Sequence, residues 1–160
     1  MKIQDIVYNG RNVILSIDAS LLNFEHIEKY SQVYELNKKE EFHITVIGSK
    51  VGEKLSDTDF NIIKDYIKNL NWDFELRSEY FYITKEYPSN EIRWSIIQTV
   101  NIPDIERLYE KINELIEEHV DTQFPHITLY ANSNLKENSQ RGIAVYSKKE
   151  LKSLSLIKLN

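Results

Sequence analysis

Hydrophobic and polar positions follow two different periods along this chain, which predicts a mixture of strands and helices. Short apolar runs are typical of strands, and they occur at 13–17, 42–46, 74–85, 92–100, 126–130, 143–146 and 154–159. Apolar residues at three-and-four spacing predict helices at 21–36, 56–69 and from Pro103-Asp104 onward. Polar residues at 132–142 predict a mobile loop.

Two of the predicted strands carry the same polar insertion in an apolar frame. The first reads Phe42-His43-Ile44-Thr45-Val46, and the second reads Phe124-Pro125-His126-Ile127-Thr128-Leu129. Side chains of a strand alternate between its two faces, so in each run the histidine and the threonine share a face while the aliphatic residues point to the other. Each strand therefore presents a polar pair on a rigid apolar backing.

The elements around the two insertions also repeat. His43 and His126 are 83 positions apart, and the same shift lays the strand at 13–17 on 96–100 and the helix at 21–36 on 104–119. Both halves thus read strand, helix, His-Ile-Thr strand, although their residues differ. The pattern predicts an α+β fold in which two similar units bring the histidines together.

Histidine suits both halves of acid–base catalysis, because its ordinary pKa lies close to neutral pH. A phosphodiester requires one group that deprotonates the attacking oxygen and another that protonates the departing one. Two imidazoles with neighbouring threonine hydroxyls would supply these groups without a metal. A metal site is the rival use of the two histidines, but the nearby acidic residues lack metal-ligand spacing. In a third reading, both histidines are ordinary strand residues.

The two runs, His43-Ile44-Thr45-Val46 and His126-Ile127-Thr128-Leu129, resemble the paired His-hydrophobic-Thr/Ser-hydrophobic signature of the 2H phosphoesterases, the LigT-like superfamily. The resemblance implies a two-lobed, pseudo-twofold fold with antiparallel sheets around a central cleft and helices outside. It also implies catalytic roles for His43 and His126 and substrate binding by Thr45 and Thr128. The first motif lobe would span about 10–70 and the second about 90–131 of a single domain, 1–160.

Several substrates are implied by the same resemblance. They are 2′,3′-cyclic phosphate ends, 2′-5′ linkages and cyclic oligonucleotide signals of the kind that phage anti-defence members of the family destroy. No cofactor or metal is expected. The alternative function is a module of the same fold that binds a nucleotide without cleaving it.

Four further residues are candidates for substrate contact. Tyr130 shares the predicted face of His126, so it would stack on a base, bond a phosphate or pack at the core edge. Tyr82 alternates with apolar neighbours and would face the cleft, as Tyr80 would. Trp94 is either a base-stacking platform or a core residue, and Arg141 either reaches a phosphate or is solvated.

Composition narrows the class of partner. The 160 residues suit one domain, cysteine is absent and the formal net charge is −5. Because neutralised phosphates supply much of the affinity for long nucleic acids and no basic stripe is visible, we expect a small nucleotide or oligonucleotide rather than a long duplex. The sequence predicts neither a signal peptide nor a membrane span, and the absence of cysteine fits a reducing cytoplasm. A monomer is the default expectation.

Overall fold

The computed structural model describes residues 5–160, which contain eight strands and five helices. The strands are β1 (Asp5–Asn9), β2 (Asn12–Ile17), β3 (Asn37–Lys38), β4 (Phe42–Ile47), β5 (Glu75–Glu86), β6 (Ile92–Asn101), β7 (His126–Ser133) and β8 (Ser155–Leu159). The helices are α1 (Glu28–Val33), α2 (Ser49–Gly52), α3 (Asp57–Ile67), α4 (Ile105–Leu115) and α5 (Lys148–Ser153). The predicted α+β class is confirmed.

All eight strands belong to one largely antiparallel sheet. Its order is β1-β2-β4-β7-β6-β5-β8, and the short β3 pairs with β7 beside this path. The two strands that carry the His-Ile-Thr motifs, β4 and β7, are neighbours near the middle of the sheet. The β4–β7 pair is the seam between two similar halves of the sheet. On one side of this seam the strand order is β4-β2-β1, and on the other side it is β7-β6-β5. In each half, the motif strand pairs with a strand that precedes it in the chain, and that strand pairs with its own hairpin partner.

The two faces of the sheet bury unequal hydrophobic cores. The larger core joins the sheet to α3 and α4 through fully buried residues such as Ile63, Leu108 and Ile112. A smaller core on the opposite face joins Ile83 and Ile97 to the C-terminal region. The larger core is covered by helices, whereas the smaller one leaves part of its face open beside β4 and β7.

Both motif strands contain a β-bulge at the same place in the motif. On β4, Val46 is the extra residue, because Thr45 pairs with Ile14 and Ile47 pairs with Val13. On β7, Leu129 is the extra residue, because Thr128 pairs with Ile97 while the residue after the bulge pairs with Ile96. Each bulge comes directly after the threonine. A bulge interrupts the alternation of faces, so it ends the polar row and returns the strand to the larger core.

The carbonyl group of each bulged residue finds a partner outside the regular strand ladder. The buried hydroxyl of Tyr109, on α4, donates to the carbonyl of Val46 over 2.7 Å. The backbone N–H of Lys39 donates to the carbonyl of Leu129 over 2.9 Å. Because a buried carbonyl without a partner is costly, these two bonds stabilise the distortions.

The helix predicted at 21–36 is shorter than expected. Only α1 is helical, after a 3₁₀ turn at Ala19–Leu21. The side chain of Asn23 accepts a hydrogen bond from the backbone N–H of Glu25 over 3.0 Å. Such a local bond competes with helix formation. After α1, Glu35 adopts a positive φ of 55°, which ends the helix. The helix predicted at 56–69 is present as α3, and Ser56 caps it because its hydroxyl accepts a hydrogen bond from the Asp59 N–H.

The C-terminal region also differs from its prediction. Residues 143–146 do not form a strand, but Ile143 and Val145 pack against the sheet in the smaller core. They lead into α5, which the sequence analysis missed although Ser147 caps it by accepting a hydrogen bond from the Glu150 N–H. The strand predicted at 154–159 is present as β8.

Replacing Tyr109 with phenylalanine should lower the free energy of unfolding by about 1–3 kcal/mol, because the buried carbonyl of Val46 loses its hydrogen-bond donor. Chemical denaturation of both proteins measures the difference. Tyr66→Phe, at a half-buried ring on α3, is the matched control and should change stability by less than about 0.5 kcal/mol. Equal stabilities for Tyr109→Phe and the parent would contradict the role assigned to this bond.

Candidate functional site

The pairing of β4 with β7 brings the two motifs together. Ile44 pairs with Ile127 in antiparallel register. One step along this ladder sets His43 opposite Thr128 and Thr45 opposite His126, since antiparallel partners run in opposite directions. Partners across a sheet share a face, and so do alternate residues of one strand. Both histidines and both threonines therefore lie on the open face, in a diagonal arrangement.

A cleft of about 350 Å³ covers this polar group. Its floor contains the two histidines and two threonines, and one wall is the segment 142–146. The remaining lining residues come from the strand ends and loops around the floor: Asn9, Asn12, Ile14, Lys39, Gly48, Ser49 and Gln123. The volume lies within the range of small-molecule sites, toward its lower end.

The lining of the cleft suits an anion. The chain carries 25 acidic side chains and a net charge of −5, yet among the described residues no aspartate or glutamate lines the cleft. Lys39 does line it, and its side-chain ammonium donates to the backbone carbonyl of Gln140. Burial lowers the pKa of Lys39, while Glu41 and Glu40 oppose that shift. The cleft is thus a region of hydrogen-bond donors in an acidic protein.

His126 is held in a defined tautomer. Its side chain is 8% exposed, and its Nδ1 lies 2.9 Å from the backbone carbonyl of Phe124. A carbonyl can only accept, so Nδ1 carries the proton of this bond and Nε2 holds the lone pair of the neutral ring. The ring of Phe124 stacks on the imidazole with 5.8 Å between centroids and further restricts its orientation.

Burial changes the proton affinity of both imidazoles in the same direction. It lowers the pKa of His126 below the usual histidine value, an effect that the Phe124 carbonyl opposes and the charge of His43 reinforces. Burial also lowers the pKa of His43, reinforced by Lys39 and opposed by Glu41. Each histidine is therefore neutral more readily than an exposed one, as a general base requires.

The wall formed by residues 142–146 approaches the floor closely. A Cβ atom on Gly142 would stand 3.0 Å from Thr128 Oγ1, so glycine permits the close contact between wall and floor. Gly48 plays the same part at the other end, because a Cβ there would stand 2.8 Å from a ring carbon of Tyr146. A side chain at Gly142 would press on Thr128, and one at Gly48 would displace the ring of Tyr146.

A buried ion pair anchors this wall to the sheet. Arg93 donates two 2.9 Å hydrogen bonds to Glu91, and it also donates to the carbonyl of Gly142 over 3.3 Å. Glu91 is 4% exposed and accepts further hydrogen bonds from Ser133 and Asn138. The bonds from Arg93 above all, with those from Ser133 and Asn138, lower the pKa of Glu91 to about 2. This network connects β6, β7 and the segment that follows β7 to the cleft wall.

Three of the predicted contact residues lie on the other face of the sheet. The expectation that Tyr130 shares the face of His126 is wrong, because the bulge at Leu129 turns Tyr130 into the larger core, where it is 4% exposed. Tyr82 pairs with Ile96 on that face and stacks on Tyr34, with 3.8 Å between ring centroids. Trp94 alternates with Ile96 toward the same side and is half-buried.

Arg141 is exposed at the edge of the cleft, next to the lining residue Gly142. Tyr80 lies in the larger core, where it contacts the ring of His26. Tyr80 therefore does not face the cleft. The polar stretch predicted as a loop at 132–142 is partly structured, since β7 continues to Ser133 and a 3₁₀ turn follows at Lys136–Asn138.

Sequence reasoning missed several lining residues that come from outside the motifs. Lys39, Gln123 and Tyr146 line the cleft, but none of them was predicted to contact a ligand. The position of Gln123 three residues before His126 is the only local signal that could have indicated it. Lys39 and Tyr146 reach the cleft through chain paths that no local pattern predicts.

Within residues 5–160, no three side chains of histidine, cysteine, aspartate or glutamate come together as a metal-ion site requires. None of the helices in that part of the chain has the length and apolarity needed to cross a bilayer.

Comparisons of the chain with protein-family models, curated proteins and solved structures found no match. The likeness to the 2H phosphoesterases therefore rests on the two motifs and stays a prediction.

The Glu91–Arg93 anchor should make stability depend on acid. A carboxylate whose pKa is lowered by folding stabilises the protein above its unfolded pKa, near 4.5, and this contribution is lost as pH falls toward about 2. Glu91→Gln should therefore be less stable than the parent at pH 7, and its stability should fall less steeply between these pH values. Urea denaturation at a series of pH values measures both effects, with the exposed Glu110→Gln as control. Parallel curves for Glu91→Gln and the parent would exclude the anchor.

Proposed function

We propose that this protein is a metal-independent phosphodiesterase that cleaves a cyclic or oligomeric nucleotide. The observation that carries the proposal is the shared face of His43, Thr45, His126 and Thr128 in a cleft whose described lining contains no carboxylate. Two imidazoles beside two hydroxyls form an acid–base pair with donors for an anion between them.

One histidine acts as base and the other as acid. With a 2′,3′-cyclic phosphate, the neutral imidazole takes a proton from water, whose oxygen attacks phosphorus. The bond from phosphorus to one ribose oxygen breaks, and the protonated imidazole gives its proton to that oxygen. With an oligomeric substrate of the RNA type, the neighbouring 2′-hydroxyl attacks instead and the departing oxygen belongs to the next nucleotide. The two histidines exchange roles in the reverse direction.

The threonines and Lys39 would stabilise the phosphate. The hydroxyl groups of Thr45 and Thr128 lie diagonally between the histidines and can donate to the two non-bridging oxygens, where charge builds in the transition state. Lys39 adds positive charge at the rim of the same cleft. The Nδ1 bond of His126 leaves its Nε2 as the nitrogen for proton transfer.

The size and charge of the site favour a small substrate. A cleft of about 350 Å³ fits a few groups of a nucleotide rather than a duplex. A net charge of −5 opposes the long-range attraction that duplex binding requires. We therefore favour 2′,3′-cyclic phosphates, short 2′-5′ linked oligonucleotides or cyclic oligonucleotides as substrates.

Two observations support a relation to the 2H phosphoesterases and their two-lobed design. The strand order is the same on both sides of the β4–β7 seam, and the bulge follows the threonine in both motifs. One lobe would span about 10–70 and the other about 90–131. A nucleotide-binding module without catalysis is the competing function of the same cleft.

The primary experiment incubates the protein with 2′,3′-cyclic, 2′-5′ linked and cyclic oligonucleotides in the presence of EDTA and separates the products by chromatography. We expect hydrolysis of at least one class at an unchanged rate in EDTA. Loss of activity in the chelator would contradict the metal-independent scheme. Tight binding without product, measured by calorimetry, would favour the binding module.

His43→Gln and His126→Gln should each lower kcat by about 10²–10⁴-fold, because each variant removes one proton-transfer group. His26→Gln is the matched control, since His26 lies on the opposite face of the sheet against Tyr80 and should leave kcat unchanged. Steady-state kinetics on the best substrate of the panel measures all three. Retention of full activity by either motif variant would exclude the acid–base scheme.

The pH dependence of kcat/KM should be bell-shaped with its optimum below about pH 6.5, because the pKa values of both histidines lie below that ordinary value in the free protein. Activity falls at higher pH as the acid loses its proton and at lower pH as the base gains one. Bound phosphate favours the imidazolium, so kcat alone should have its optimum at higher pH. Lys39→Met should move the limb of kcat/KM that reports His43 to higher pH, since Lys39 lowers the pKa of His43. An optimum of kcat/KM above about pH 7.5 would contradict this assignment.

A further inference from the structure

Gln123 has a buried oxygen without a partner at the wall of the cleft. Its side chain is 3% exposed and lines the cleft near Gly48 and Tyr146. The Nε2 group donates to the carbonyl of Val145 over 2.6 Å, whereas Oε1 has no hydrogen-bond partner. Buried polar atoms almost always have a partner, so an unpaired acceptor in a cleft points to a donor supplied by a ligand.

The orientation of this amide follows from its neighbour. Exchanging the oxygen and nitrogen positions would set Oε1 against the carbonyl of Val145, and two acceptors cannot bond each other. Oε1 therefore points away from Val145. It lies 3.9 Å from the position that a Cβ on Gly48 would take, and Gly48 itself lines the cleft. Because Gly48 has no side chain, the ring of Tyr146 packs against it beside the buried oxygen, so a ligand must displace that ring to reach Oε1.

The surroundings of Oε1 suit a flat, partly apolar group. Ile143, Val145 and Tyr146 line the same wall, and Tyr146 contributes an aromatic ring packed against Gly48. A phosphate diester has no hydrogen to donate, so this acceptor does not suit the phosphate that the histidines would hold. A nucleobase combines an apolar ring with donors on its edge, and its amino group projects farthest from that edge.

We propose that Gln123, Gly48 and Tyr146 form a nucleobase subsite in which Gln123 Oε1 accepts a hydrogen bond from an exocyclic amino group. The subsite selects adenine, guanine or cytosine over bases that present a carbonyl at that position. It rests on the proposed function in taking the ligand to be a nucleotide. Gln123 is a specificity residue in this scheme and takes no part in proton transfer.

The selection follows from the cost of an unpaired buried acceptor. A base with an amino group satisfies Oε1, whereas a base with a carbonyl at the same place brings a second acceptor against it. Sites built to bond a specific donor reject analogues that lack it more strongly than apolar pockets reject a missing methylene. We expect at least a tenfold preference, on the order of what one lost hydrogen bond produces.

Calorimetric binding of nucleoside 3′-phosphates tests the subsite without requiring catalysis. One member of each compared pair lacks the exocyclic amino group: adenosine against inosine, cytidine against uridine, and guanosine against inosine. Inosine and uridine carry a carbonyl beside a ring N–H where adenosine and cytidine carry the amino group beside a ring nitrogen, whereas inosine carries only hydrogen in place of the guanosine 2-amino group. For at least one pair, the amino-bearing nucleotide should bind the parent protein about tenfold or more tightly than its partner. In Gln123→Met, which has similar length but no acceptor, this ratio should fall to near one.

Each outcome decides the inference. Equal affinities within all three pairs for the parent protein, a comparison that needs no variant, would overturn it. A preference that persists in a folded Gln123→Met would assign the selection to another group and overturn the role of Gln123.

The inference and the proposed enzyme fail separately. Amino-dependent binding without hydrolysis of any nucleotide would remove the phosphodiesterase and leave the subsite. Hydrolysis with the same kcat/KM for both members of every pair, measured on their 2′,3′-cyclic phosphates, would remove the subsite and leave the phosphodiesterase. Absence of binding by all the nucleotides, together with absence of hydrolysis of all three substrate classes, would exclude both.

Discussion

The antiparallel pairing of β4 with β7 is the constraint on which the site depends. Its register is set by Ile44 and Ile127, both fully buried on the helix-covered face. Burial of these residues forces the flanking histidines and threonines to the open face, since neighbours on a strand point in opposite directions. A slip of one residue would bury the polar groups and expose the isoleucines, so the hydrophobic core itself holds the imidazoles in place.

The two bulges limit the polar row to one histidine and one threonine per strand. Without them, alternation would continue the open face through Ile47 and Tyr130, but both residues are buried in the larger core. Each bulge requires an outside partner for its carbonyl, and these partners also bring distant parts of the chain to the site. The hydroxyl of Tyr109 ties α4 to β4, and the N–H of Lys39 brings that lysine to the rim of the cleft.

The wall over the open face gives the cleft its chemical character. Residues 142–146 line the cleft beside the two histidines, whose pKa values are lowered by burial. The wall contains no regular strand, and Arg93 and Gln123 hold it by donating to the carbonyls of Gly142 and Val145. Fold stability and the properties of the site are therefore connected through a few side chains that take no part in the proposed chemistry.

The sequence by itself determined the α+β class, most of the long elements and the shared face of each histidine with its threonine, because these features follow from local periodicity. The capping of α3 by Ser56 was equally local. The repeated order of elements also indicated that two similar halves would meet, although no residue pattern specifies which strands become neighbours. The short α1 shows the limit of periodicity, because the Asn23 side chain competes with the helix.

Only the tertiary structure decided what lies around the two motifs. The bulge at Leu129 took Tyr130 away from the site, and no alternation of residues could predict a break in alternation. Lys39, Gln123 and Tyr146 enter the cleft from segments far apart along the chain or outside the motifs. Their positions depend on long-range packing and on hydrogen bonds to backbone carbonyls, which form only when the complete sheet is assembled.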